Sequence, residues 1–69
     1  METFRQRLKE IRIELSLKQK ELGKKIGVSD ACINRWENGV RTPNAENIIS
    51  LCKALNCSAD YLLGLNDCE

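Results

Sequence analysis

The sequence predicts an all-α fold, a compact domain of five short helices. Three observations predict it. Apolar residues return every three or four positions, as in Phe4, Leu8, Ile11 and Leu15 and again in Ile48, Leu51, Cys52 and Leu55. Gly27, Gly39 and Gly64 stand where helical stretches end, and Ser29, Asn44 and Ser58 stand where they begin. A length of 69 residues then limits the chain to one domain with a small core.

Residues 2–15 form the first predicted helix, with its charged side chains turned away from the apolar stripe. Leu15-Ser16-Leu17 is the break, and Leu17 tucks under the next element. The second helix begins near Lys18 and carries Leu22 and Ile26 on one stripe. Its start lacks the usual Ser, Thr or Asn cap, which costs about 1 kcal/mol, and Ser16 is the nearest substitute. A cation there opposes the helix dipole unless Lys18 reaches an anion such as a phosphate. Gly27 accepts the left-handed backbone of a sharp exit. Ser29 then caps a third helix running to Asn38 and stopped by Gly39, with Asp30 in its first turn. Pro43 stiffens the following loop, and Asn44 caps a fourth helix that ends at Asn56. Ser58 caps a short fifth helix from Ala59 to Leu63, and residues 66–69 form a frayed tail.

Residues 19–38 organise the rest. An advance of about 100° per residue puts Ile33 and Trp36 on one side of the third helix and Ala31, Asn34, Arg35 and Asn38 on the other. Two short helices joined by a glycine turn, the second with a small polar outer face, describe a helix-turn-helix. Such a face has the chemistry to enter a DNA major groove. The amide of Asn34 matches the acceptor and donor on the edge of adenine. Arg35 suits a guanine edge or a phosphate, Ala31 a thymine methyl, and Asp30 the amino group of cytosine. Asp30 has a competing role at the first turn, where a carboxylate favours the dipole. Ser29 serves as cap and phosphate contact together.

Gln19, Leu22, Gly27, Val28, Ile33, Trp36-Glu37-Asn38-Gly39, Pro43, Leu51, Leu55 and Tyr61-Leu62-Leu63-Gly64 complete a recognisable pattern. In this order and spacing the chain resembles the phage repressor/Cro helix-turn-helix family, often called the XRE family, from Phe4 to Leu65. The resemblance implies a five-helix lambda-repressor-like DNA-binding domain and a sequence-specific transcriptional regulator, a repressor. It implies a homodimer on a palindromic operator of double-stranded DNA, with two recognition helices about 34 Å apart in the major groove. A glutamine at position 19 bonds the DNA backbone in the family and can brace the recognition helix; as a bare residue, Gln19 is a solvated first-turn side chain. Asn38 and Arg41 take the places of groups set against phosphates. Glu37 takes the place of a glutamate that pairs with an arginine of the first helix, here Arg12. Gly23 departs from the family's usual alanine. Lys24 and Lys25 lie toward the helix end that runs away from DNA. The dimer patch is expected near the fourth and fifth helices, with Leu63 or Leu65 exposed, in a dimer that is weak when free and completed on DNA.

Charge is divided along the chain. Residues 1–41 hold ten Lys/Arg against six Asp/Glu, giving +4, and residues 42–69 hold one against four, giving −3. One end of the molecule is thereby suited to an anion, although a mixed solvated surface has the same composition. Cys32, Cys52, Cys57 and Cys68 contain no CxxC pair and there is no histidine, so neither a zinc site nor a Cys-His nucleophile is indicated. Cys52 is expected to pack as a small apolar residue, and Cys68 to be available for an intermolecular bridge on oxidation. No cofactor, small-molecule ligand, membrane segment or targeting signal is indicated, and the expected location is the cytoplasm. An enzyme is the least favoured class, for want of a catalytic cluster or a phosphate loop. The competing class is a protein-interaction module of the antitoxin or antirepressor type, for which the acidic C-terminal part and spare leucines are suited.

Overall fold

The computed structural model describes residues 2–65 and folds them into five helices with no strand among them. They are α1 (Glu2–Glu14), α2 (Gln19–Ile26), α3 (Asp30–Glu37), α4 (Ala45–Leu55) and α5 (Ala59–Leu62). The fold class is the one the periodicity predicts. The expected tail and Cys68 lie outside the described residues.

The core draws on every helix: Phe4, Leu8 and Ile11 of α1, Leu22 of α2, Ile33 and Trp36 of α3, Leu51 and Leu55 of α4, and Leu62 of α5. No single helix could bury its stripe alone at this size. α2 packs against α3 and α4, α1 against α3 and α5, and α4 against α5. The expected inward turn of Ile33 and Trp36 is what the structure has.

The exit from α1 differs from the periodic reading. The helix ends at Glu14, Leu15 is 47% exposed, and Ser16 takes a left-handed backbone at φ 57°. Its N–H donates to Ile13 O at 2.9 Å, and that of Leu17 donates to Arg12 O at 3.0 Å. This reversal returns Leu17, not Leu15, to the core. Ser16 therefore does not cap α2. That end is met by Glu21, whose carboxylate accepts from the Lys18 N–H at 2.8 Å, the half of a capping box open to a lysine, which has no acceptor.

The turn between α2 and α3 rests on two glycines. Gly27 sits at φ 78°, and the N–H groups of Gly27 and Val28 both donate to Gly23 O. Gly23 is buried, and a Cβ there would stand 2.6 Å from Val28 O. The departure from alanine thus has a steric cause in this chain.

The remaining helices start as their caps predict. Ser29, Asn44 and Ser58 accept from the N–H groups of Cys32, Asn47 and Tyr61, at 3.2, 2.8 and 3.1 Å. α5 is one residue shorter than expected: Leu63 is its C-cap and half-buried on the core, while Leu65 is 76% exposed. A contact not visible in the sequence holds α5 to α1. The Arg7 guanidinium donates to Tyr61 O and lies 4.2 Å from the centre of the Tyr61 ring.

Candidate nucleic-acid interface

α3 presents its outer side to solvent. Asp30, Ala31, Asn34, Arg35 and Asn38 are all exposed, while Ile33, Trp36 and Glu37 are buried. The sorting follows from helix geometry: the apolar residues anchor the inner side, leaving positions 31, 34, 35 and 38 facing out. Gln19, Asp30, Ala31, Asn34 and Arg35 line one shallow depression between the start of α2 and α3. Arg35 and Arg41 share a second groove on the other flank, with Cys32, Trp36 and the loop residues Thr42, Pro43 and Asn44. That loop folds back on the helix, since the N–H groups of Val40 and Arg41 donate to Arg35 O at 3.0 and 3.4 Å. Of the candidate residues, Lys18, Ser29 and Arg41 are also exposed, and Gln19 is half-buried.

A chain of hydrogen bonds runs from α1 to this rim. Arg12 Nε and Nη2 donate to the two carboxylate oxygens of Glu37 at 2.6 and 3.0 Å, and Arg12 Nη1 donates to Leu17 O at 2.8 Å. The pair is withdrawn from water, with side-chain exposures of 11% for Arg12 and 2% for Glu37. Bidentate geometry and a third acceptor satisfy the guanidinium, which a buried charge requires. Gln19 Nε2 donates to the same Glu37 at 3.2 Å, and its Oε1 lies 3.5 Å from Asn34 Nδ2, a long and weak contact. Asn38 Nδ2 then donates to Asn34 Oδ1 at 3.0 Å. Gln19 thus joins the first turn of α2 to both the buried and the exposed sides of α3.

Two supporting residues escaped the sequence reading. Glu21 fixes the backbone at Lys18, and its spacing three residues after the cap position is a signal that could have found it. Arg5 lies against Gly39, where a Cβ would meet its Cδ at 3.1 Å. Nothing local in the sequence links those two positions.

Among the described residues, no group of three or more His, Cys, Asp or Glu is placed to hold a metal, and no helix is long and apolar enough to cross a membrane.

Known proteins share this arrangement. Residues 8–62 match the helix-turn-helix family model. Repressor protein C2 of Salmonella phage P22 is 47% identical over 58 residues, covering 84% of this chain and 27% of the phage protein. The HTH-type transcriptional regulator ImmR of Bacillus subtilis is 33% identical, covering 88% of this chain and 48% of the regulator. The chain thus spans from about a quarter to half of these relatives' lengths. The crystal structure of the P22 c2 repressor in complex with synthetic operator 9T superposes with a TM-score of 0.83 at 44% identity, covering 86% of this chain and 89% of that one. The restriction-modification controller protein C.AhdI of Aeromonas hydrophila gives 0.83 at 31% identity, covering 88% and 92%. With the five-helix architecture, the capped α2–α3 corner and a family match across most of its length, the chain belongs to the phage repressor/Cro, XRE-type helix-turn-helix family.

Proposed function

We propose that this chain is a sequence-specific double-stranded DNA-binding transcriptional repressor, acting inside the cell as a homodimer on a palindromic operator. The observation that carries the proposal is the bare outer rim of α3, five exposed positions from Asp30 to Asn38 on a helix anchored from behind by Ile33 and Trp36. The likeness to a repressor solved on operator DNA supports the same reading.

In this reading α3 enters the major groove and Asp30, Ala31, Asn34 and Arg35 face base edges. Lys18, Gln19, Ser29, Asn38 and Arg41 face the sugar-phosphate backbone and set register. The free hydroxyl proton of Ser29 suits it to donate, because its oxygen already accepts from Cys32. Gln19 acts from both sides, holding Glu37 inside while facing a phosphate outside. A second copy meets this one along α4, α5 and the exposed Leu65, spacing the two α3 helices by about 34 Å. No cofactor or small-molecule ligand is part of the proposal.

The test is selection of bound duplexes from random DNA, followed by a mobility-shift titration of the enriched site. The expected outcome is enrichment of a two-fold symmetric sequence whose half-sites lie one helical turn apart, with affinity falling steeply as salt rises. Absence of binding at low salt would transfer the exposed rim to a protein partner, as in an antitoxin or antirepressor.

A further inference from the structure

The DNA-facing reading leaves Cys52 and Cys57 without a role. α4 ends in the left-handed Asn56, at φ 53°, and the Cys57 N–H then reaches back to Cys52 O at 3.1 Å. That bond is the six-residue closure of a Schellman cap. It sets a side chain of the last helical turn against the one just past the left-handed residue, where two apolar groups ordinarily meet. Here both groups are thiols, and they are hydrogen-bonded to one another. Both are half-buried and packed at the edge of the core, so neither is sealed from small solutes.

We infer that Cys52 and Cys57 form a dithiol modification site that closes to an intramolecular disulfide on reaction with a peroxide. The backbone bond of the cap holds the two residues together at the end of α4, the proximity a bridge between them requires. Burial pushes the Cys52 thiol above the ordinary range despite an opposing pull from its bond with Cys57. Burial disfavours the Cys52 thiolate, so the first attack is assigned to Cys57, just beyond the helix end. The Cys57 thiolate attacks one oxygen of hydrogen peroxide; the S–O bond forms, the O–O bond breaks, and hydroxide leaves and is protonated to water. Cys52 Sγ then attacks the resulting sulfenic sulfur. The S–S bond forms, the S–O bond breaks, and the departing hydroxide takes the Cys52 proton as a second water. Two thiols lose two electrons, and one peroxide gains them.

The linkage can be mapped directly in the full chain. After treatment with hydrogen peroxide and blocking of remaining thiols with N-ethylmaleimide, trypsin cleaves at Lys53 and puts Cys52 and Cys57 on separate peptides. The expected product is those two peptides joined, two hydrogens lighter than their sum in Cys68→Ser and carrying one further maleimide, on Cys68, in the unaltered chain, and parted by dithiothreitol. In Cys57→Ser the Cys52 peptide should instead carry maleimide. Maleimide on both Cys52 and Cys57 of treated Cys68→Ser would overturn the proposal. So would sulfinic acid at Cys57, or a linkage lost in Cys68→Ser.

Discussion

Two of the fastenings of α1 are unlike. Toward its C-terminal end, Arg12 grips Glu37 of α3 with two hydrogen bonds, in a pair almost fully withdrawn from water. Toward its N-terminal end, Arg7 meets α5 through the Tyr61 carbonyl and ring, both neutral groups. The first joins opposite full charges in a low-dielectric setting, where removing one partner strands the other. The second sets a cation against a carbonyl and a ring, neither of them charged. The difference teaches that α3 is held at its inner side by a buried ion pair while the described contacts of Arg7 with α5 are to neutral groups, and it predicts a graded set of responses.

The largest effect is expected at Arg12. Arg12→Ala leaves Glu37 buried with Gln19 as its remaining donor, and should lower unfolding free energy by about 3 kcal/mol. Urea denaturation followed by circular dichroism measures this. Adding Glu37→Leu to Arg12→Ala should restore most of the loss, because the uncompensated charge is then gone. A double variant no more stable than the single one would show that packing of the arginine stem, not charge, holds the fastening.

Next comes the corner that both fastenings leave untouched. Gly23→Ala gains about 1 kcal/mol of helix propensity. It also drives a Cβ to 2.6 Å from the carbonyl oxygen of Val28, a backbone atom with little room to give. Overpacking of this kind costs up to about 3 kcal/mol, so a net loss of about 2 kcal/mol is expected. A stabilised Gly23→Ala would mean that the corner relaxes freely and is not the rigid reference for α3.

How much of this was legible beforehand depends on how far each signal reaches. The caps at Ser29, Asn44 and Ser58 are local hydrogen bonds within three residues, and the helix starts they announce are present. The inner and outer sides of α3 follow from helical period alone. Leu15 was misread for the converse reason: periodicity continues through it, but the left-handed Ser16 ends the helix one residue earlier, and only the folded backbone reveals that. The pairing of Arg12 with Glu37 spans 25 positions and was anticipated through family resemblance, not from charge pattern. Arg7 and Tyr61 lie 54 positions apart, and a carbonyl acceptor leaves no trace in the identity of the residue that carries it. The thiol contact of Cys52 and Cys57 arises from a turn conformation at Asn56, which spacing alone does not specify.

A smaller effect tests the weaker fastening. Arg7→Met keeps an apolar stem against Tyr61 but removes the hydrogen bond and the cation over the ring, and should cost about 1 kcal/mol. Because α5 packs against α1 and α4, the affinity of a single folded copy for one half-site should be unchanged. Comparing that titration with Arg12→Ala at equal folded fraction separates the two ends of α1. Equal losses of DNA affinity in both variants would mean that α5 also governs the attitude of α3.

The smallest effect on folding should come from the residue closest to the proposed bases. Asn34 is exposed, its contact with Gln19 is 3.5 Å long, and its bond from Asn38 lies at the surface. Asn34→Ala should therefore change stability by no more than about 0.5 kcal/mol. On the selected operator the same substitution should cost about 1–3 kcal/mol while leaving binding to random DNA nearly unchanged. This separation is what the proposed reading of α3 demands: the inner side carries stability through Ile33, Trp36 and Glu37, and the outer side is assigned to discrimination. A loss equal on every DNA sequence would assign Asn34 to the phosphates. A large loss of stability would place it instead in the same structural network as Arg12, with Gln19 as the link.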